Sequence, residues 1–192
     1  MKNDPWLEKW QNLIKKKSAE GGILELGCGG GRDTVDLLAA NCQLTAMDIS
    51  QKNLAECAIK APKAALLQMD LSKPFPFAAQ SAAVIVASLS LHYFSWAATL
   101  QISSEVRRCI KSSGVLLMRL NSLNDLHYGS ASTFEIEPNF YHVGTGTKRF
   151  FNKEDVRLFL QGWDIFFLEE NIIDRYKKPK HVWEAMAVYS AV

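Results

Sequence analysis

Residues Glu25-Leu26-Gly27-Cys28-Gly29-Gly30-Gly31 place four glycines within five positions, directly after a short apolar run and before a helical pattern. Glycine lets a backbone pass close to a ligand, and the helix that follows presents unpaired N–H groups to an anion or a carboxylate. The next two apolar runs end in acids, Asp48 and Asp70. Carboxylates at successive strand ends of a parallel sheet point into the crevice where such sheets bind ligands. Acceptors there suit hydroxyl and amino donors, not phosphates. The loop also lacks the lysine that a P-loop uses on its phosphates. A dinucleotide fingerprint counted from Gly27 calls for a small residue at position 32, where this chain has Arg32. For either aspartate alone, a turn or helix-cap role is the plain alternative.

A second group of residues follows the apolar run 82–87. His92 and Tyr93 fall near the mouth of the crevice, where they are candidates to hold a second reactant or to remove its proton. An imidazole with its ordinary pKa of ~6.5 suits that role, and packing beneath the next helix is the competing one. Asn121 closes a later strand. His142 and Arg149 lie in or beside a long irregular segment, where a cationic side chain would bind an anion. Arg175, Lys177, Lys178 and Lys180 cluster in a turn and read as a solvated basic tip. Cys28, Cys42, Cys57 and Cys109 form no CxxC pair and no zinc-like spacing, so no metal is expected and reduced cytoplasmic thiols are the simplest account.

The elements that must position these groups alternate. Trp6, Trp10, Leu13 and Ile14 share one helical face, Lys15 to Lys17 suit the helix's negative end, and Gly21 and Gly22 stop it. A strand at 23–26, the glycine loop and a helix whose Val35, Leu38 and Ala39 share a face come next. A strand at 43–47, a helix over 51–60 capped by Ser50, and a strand at 64–69 continue the pattern. The run 82–87 is apolar throughout, as in a strand covered on both faces, and is expected to be the central fourth strand. A helix over 96–110 leads through a turn at Gly114 to a fifth strand at 115–120. This alternation implies a doubly wound, mostly parallel sheet with helices on both faces. Residues 121–150 lose the rhythm and are expected to form a lid. Asn152 caps a short helix at 153–160, and runs at 163–169 and 182–189 form a closing antiparallel pair.

At 192 residues, one domain over 1–192 is expected, with 1–20 as an N-terminal helix. Apolar residues make up 48% and charged residues 22%, which excludes a disordered or disulfide-scaffold class. The formal charge of +2 is too balanced for binding driven by nucleic-acid phosphates. Residues 74–104 contain no Asp, Glu, Lys or Arg, yet prolines, serines, Gln80 and His92 break the stretch well before the ~20 apolar residues of a membrane span. The opening residues lack the basic and apolar segments of a secretory signal.

The pattern E-x-G-x-G-x-G with Asp48 and Asp70 resembles the class I S-adenosylmethionine (SAM)-dependent methyltransferases, over roughly residues 20–120. That resemblance implies a seven-stranded sheet with an antiparallel last strand and SAM as cofactor. It implies cofactor contacts from Glu25, Gly27, Gly29, Gly31, Asp48, Asp70 and Ser88, with Asp48 on the ribose hydroxyls and Asp70 on the adenine amino group. The residues after the fourth strand lack the Asp-Pro-Pro-Tyr-like motif of nucleic-acid amino-methylating enzymes and the Pro-Cys pair of the C5-cytosine type. Ser88 stands where catechol-type enzymes place a metal-binding acid. A small-molecule acceptor is therefore expected, with His92, Tyr93, His142 and Arg149 as candidate catalytic residues. The C-terminal third, with Arg149-Phe150-Phe151 and Gly162-Trp163-Asp164, is similar to the tellurite-resistance methyltransferases, which act on chalcogen oxyanions. The alternatives are a SAM-binding module without transferase activity and a nicotinamide-dependent oxidoreductase.

Overall fold

The computed structural model describes residues 4–129 and 134–190. The expected N-terminal helix and lid therefore each include positions, 1–3 and 130–133, outside the described residues. Seven strands form one sheet in the order β3-β2-β1-β4-β5-β10-β9. They are β1 (Gly22–Leu26), β2 (Leu44–Asp48), β3 (Ala65–Gln68), β4 (Ala82–Ser88), β5 (Ile110–Asn121), β9 (Trp163–Ile173) and β10 (Lys180–Tyr189). The first five pair in parallel, and β10 runs antiparallel to both β5 and β9. β4 is the central strand, and its first six residues are all buried, as its unbroken apolar run requires.

The sheet's two faces follow from the two-residue period of its strands. Val84, Val86, Val115 and Leu117 pack with Trp6, Leu7, Ile14 and Leu37, from α1 (Gln11–Ser18), the turns before it and α2 (Arg32–Leu37). Ile85, Ala87, Leu116 and Met118 pack on the other face with Ile102, Val106, Val156 and Phe159. Those partners come from α4 (Trp96–Cys109) and α5 (Lys153–Phe159). Burying each Val, Leu or Ile side chain contributes about 1.5–3 kcal/mol, so the filled faces hold the strand ends rigidly in place. α3 (Gln51–Lys60) starts at Ser50, whose hydroxyl accepts from the Asn53 amide at 3.3 Å, as expected. α5 begins with a capping box between Asn152 and Asp155.

Three local expectations need correction. α2 is short and buries Asp33, Thr34 and Leu37, while Val35 is 43% exposed; the buried stripe is partly polar, which an apolar-periodicity reading misses. Where a turn at Gly114 is expected, inside β5, the left-handed residue is Ser113, at φ 60°, and Gly114 is needed for a different reason. A β-carbon on Gly114 would stand 2.6 Å from Ile110 Cγ1 and 2.8 Å from the Lys111 carbonyl. Finally, the segment expected as an irregular lid contains a three-stranded antiparallel sheet, β6 (Glu135–Glu137), β7 (Phe140–Val143) and β8 (Gly146–Arg149). No described helix is long and apolar enough to cross a membrane.

Candidate functional site

A cavity of about 740 Å³ opens at the C-terminal ends of β1, β2, β3 and β4. Its volume lies within the ~300–1,000 Å³ typical of ligand pockets. The glycine loop forms one wall. Gly27, Gly29 and Gly31 have φ of 75°, 54° and 81°, so the alternate glycines of the sequence mark alternate left-handed positions. They serve different ends. A β-carbon on Gly27 would sit 2.3 Å from Ser90 Cβ, whereas one on Gly29 would meet nothing within 4 Å. Gly31 does not face the cavity: its missing β-carbon makes room for Cys57 on α3, with the sulfur at 2.7 Å. Open space at the cavity wall therefore belongs to Gly29, and Gly31 serves the packing of α2 on α3.

Asp48 binds the loop to the start of α3. Its Oδ2 accepts from the Gly29 amide at 2.9 Å, and its Oδ1 accepts from the Ser50 amide at 2.8 Å and Asn53 Nδ2 at 3.1 Å. A carboxylate offers about four acceptor positions, so roughly one remains for a ligand hydroxyl. The Gly29 N–H, which a phosphate would need, is already occupied by an internal anion. Asp70 accepts from the Ser72 amide at 2.9 Å, and this bond together with one from the Ser72 side chain holds its carboxyl below the usual range. Glu25 is buried beneath the loop, where its Oε2 accepts from Thr34 Oγ1 at 2.6 Å. Burial pushes its pKa up to about 8, against the pull of the Thr34 bond.

At the end of β4 the backbone turns through Leu89 at φ 56°, a left-handed leucine costing about 1–2 kcal/mol. The turn lays Ser90 against Gly27. Ser88 lines the cavity, but its hydroxyl oxygen accepts from Arg119 Nε at 3.0 Å and Nη2 at 2.8 Å. Arg119 is fully buried and also meets Asp4 at 2.7 Å, Asp33 at 3.8 Å and the Trp6 ring, 4.4 Å from its centroid. Trp6 Nε1 donates to Asp33 Oδ2 at 2.9 Å. Sequence reasoning missed this network. Its signal was a lone arginine in the apolar run 115–120, since a buried charge demands partners.

The four candidate catalytic residues separate. Tyr93 lines the cavity and is half-exposed. His92 is buried behind it, with Nδ1 unpaired among the described residues and the two rings 4.2 Å apart. Burial, reinforced by the Lys180 and Lys148 ammonium groups, holds its pKa well below the ordinary value, so it is neutral at neutral pH. His142 is on an exposed position of β7 against the Phe134 ring and does not line the cavity. Arg149 is a buried strut: it pairs with Glu137 and donates to the Phe94 and Pro138 carbonyls, both at 3.1 Å, so it pins the small sheet and offers no free cation. The proposed basic tip also reads differently. Lys180 is buried on Asp125 at 2.7 Å, and Arg175 and Tyr176 line the cavity.

Comparison with known proteins agrees with this arrangement. Residues 23–114 match the family model described as "Methyltransferase domain". An uncharacterized methyltransferase of Synechocystis sp. is 32% identical over 105 residues, covering 55% of this chain and 47% of that protein. The chain thus spans about half the length of this curated relative. A SAM-dependent methyltransferase structure from Methanosarcina mazei superposes with a TM-score of 0.74 at 17% identity, covering 88% of this chain and 92% of the other. One from Clostridium acetobutylicum gives 0.70 at 19% identity, covering 96% and 92%. The donor set fits SAM, with carboxylate acceptors at two strand ends, a carboxyl under the loop and open space opposite Gly29. Over residues 23–114 the chain matches the methyltransferase-domain model, and its sheet shares the fold of these SAM-dependent methyltransferase structures.

Proposed function

We propose that the chain binds SAM in the cavity at the strand ends and promotes methyl transfer to a small-molecule acceptor. The observation that carries this reading is one cavity bounded by the glycine loop, Asp48 and Asp70 on one side and by Ser90 and Tyr93 on the other. When bound, SAM supplies an electrophilic methyl group to an in-line displacement. Asp48 and Asp70 would hold the ribose and adenine ends, and Glu25 would face the amino-acid end. The protein's share of the catalysis is positioning and exclusion of water. Tyr93 and Ser90 orient the acceptor from the end of β4. The small sheet β6–β7–β8 packs on the turn Leu91–Tyr93, with Thr147 Oγ1 donating to the Tyr93 carbonyl at 3.2 Å.

Neutral His92 can accept a proton only at an energetic cost and does not line the cavity, so it is better suited to support Tyr93 than to serve as a strong general base. The decisive experiment incubates the protein with SAM and a panel of small nucleophiles and follows S-adenosylhomocysteine. Binding of SAM without turnover on any acceptor would favour the non-catalytic module. A thermal shift with NAD exceeding that with SAM would favour the oxidoreductase, which Arg32 in the fingerprint position opposes.

A further inference from the structure

Among the described residues, six buried side-chain polar atoms lack a hydrogen-bond partner, and five of them belong to residues around one end of the sheet. They are Ser90 Oγ, His92 Nδ1, both amide atoms of Asn121 and Arg175 Nη1. Folded proteins leave few such groups unpaired, and a concentration of them marks a place where something else supplies the partners. Ser90 and Arg175 line the cavity, Asn121 ends β5, and His92 lies in the turn Leu91–Tyr93 that packs on that strand.

Arg175 is the unexpected member. It stands in the hairpin between β9 and β10, where the sequence reads as a solvated tip, yet its side chain is only 13% exposed. Nη2 donates to Tyr176 Oη at 3.0 Å. Nη1 is ion-paired with Asp4 Oδ2 at 3.3 Å but outside hydrogen-bond geometry, and that oxygen makes its 2.7 Å hydrogen bond to Arg119. A guanidinium in this state keeps a donor for a planar anion. Beside it, Tyr176 and Tyr93 line the cavity at 36% and 52% exposure, a pair of aromatic surfaces left open. The hairpin hangs from β10, beyond β5, whereas the glycine loop and Asp48 belong to β1 and β2 on the other side of β4. The other cations lining the cavity, Arg32 and Lys60, come from α2 and α3 on that cofactor side.

We infer that Arg175 and Tyr176 anchor the acceptor, and that the acceptor carries a carboxylate or similar oxyanion on a flat apolar body. This rests on the methyltransferase reading above and adds the acceptor's chemical class to it. Arg175 grips the anionic group, the two tyrosine rings cover the body, and Ser90 pairs with a remaining polar atom.

Calorimetry with S-adenosylhomocysteine, then with benzoate or benzamide added to the loaded protein, tests it. These probes share a flat ring and differ in charge. The parent should bind S-adenosylhomocysteine and then prefer benzoate by about ten-fold or more, the value of one charged hydrogen bond. Arg175→Gln should bring benzoate down to the level of benzamide while S-adenosylhomocysteine affinity stays within about three-fold, and Arg175→Lys should recover part of the preference. Equal or absent binding of the two probes by the loaded parent overturns the inference and leaves the methyltransferase reading intact. So does an Arg175→Gln protein whose S-adenosylhomocysteine affinity falls about ten-fold, because Arg175 would then hold the cofactor's own carboxylate. A parent that takes up no S-adenosylhomocysteine overturns both.

Discussion

A β-carbon at Gly31 would stand 2.7 Å from the Cys57 sulfur and 2.9 Å from the Cys57 Cα, so the third glycine of the loop is required by a neighbouring helix. Gly31→Ala should cost stability twice, through the overlap and through φ of 81°, for about 2–5 kcal/mol in all. Gly29→Ala meets no neighbour within 4 Å and should cost only about 1–2 kcal/mol, while weakening SAM binding by closing space at the cavity wall. Chemical denaturation and calorimetry on the two variants separate these effects. The assignment fails if Gly31→Ala is as stable as the parent.

Asp48→Ala should lose affinity and stability together. Three donors, the Gly29 and Ser50 amides and Asn53 Nδ2, lose a charged acceptor at once, so roughly 2–4 kcal/mol of stability is expected to go. SAM affinity should fall about ten-fold or more when measured well below the variant's melting temperature. A loss of affinity without loss of stability would mean that these internal bonds are dispensable.

Glu25 gives a pH dependence with a definite sign. Its pKa near 8 in the folded protein, against 4.5 for the free group, means that the native state holds a proton the unfolded chain has released. Its contribution is fully present below about pH 4.5 and is lost as pH rises through about 8, on the order of 4 kcal/mol over the whole span. Glu25→Gln keeps the acceptor for Thr34 and removes the titration. Urea midpoints at pH 6 and pH 9 should therefore differ less in the variant than in the cofactor-free parent. An unchanged difference would place the titrating group elsewhere.

The His92 imidazole should show no protonation in NMR spectra between pH 8 and 6, because burial and the two lysines hold its pKa well below 6.5. Its folded pKa is depressed, so stability falls on acidification below the unfolded value, where only the unfolded chain gains the proton. An inflection in methyl-transfer rate near pH ~6.5 would then report another group. A His92 resonance titrating near 6.5 would contradict the buried, unpaired placement.

The sheet and the glycine-loop side of the cavity were legible because local signals carry them. The apolar runs at 23–26 and 82–87, the Ser50 and Asn152 caps and the alternate glycines each specify a local conformation that the fold retains. The buried polar pairs beyond β4 were not, because their residues are joined only by the fold. Arg119 and Asp4 are 115 positions apart, and Lys180 and Asp125 are 55 apart, so neither partnership has a sequence period. Short polar strands such as Gly146–Arg149 leave no apolar run to find, and Arg149 resembled a ligand-binding cation because its partner Glu137 precedes it across a turn.

Lys9 and Trp10, near the start of the chain, both meet Glu184 on β10, at 2.7 Å and 3.3 Å, and the second pair is separated by 174 residues. Growing chains emerge at about 5–20 residues per second, so these side chains wait on the order of ten to thirty seconds for their partner during synthesis. Asp4 meets Arg119 sooner, which makes attachment of the opening segment a two-stage event. Trp6 and Leu7 find their cover earlier, from Leu37, Val84 and Val86, which all precede β10. The turn around Lys9 and Trp10 is thus made well before the strand that secures it.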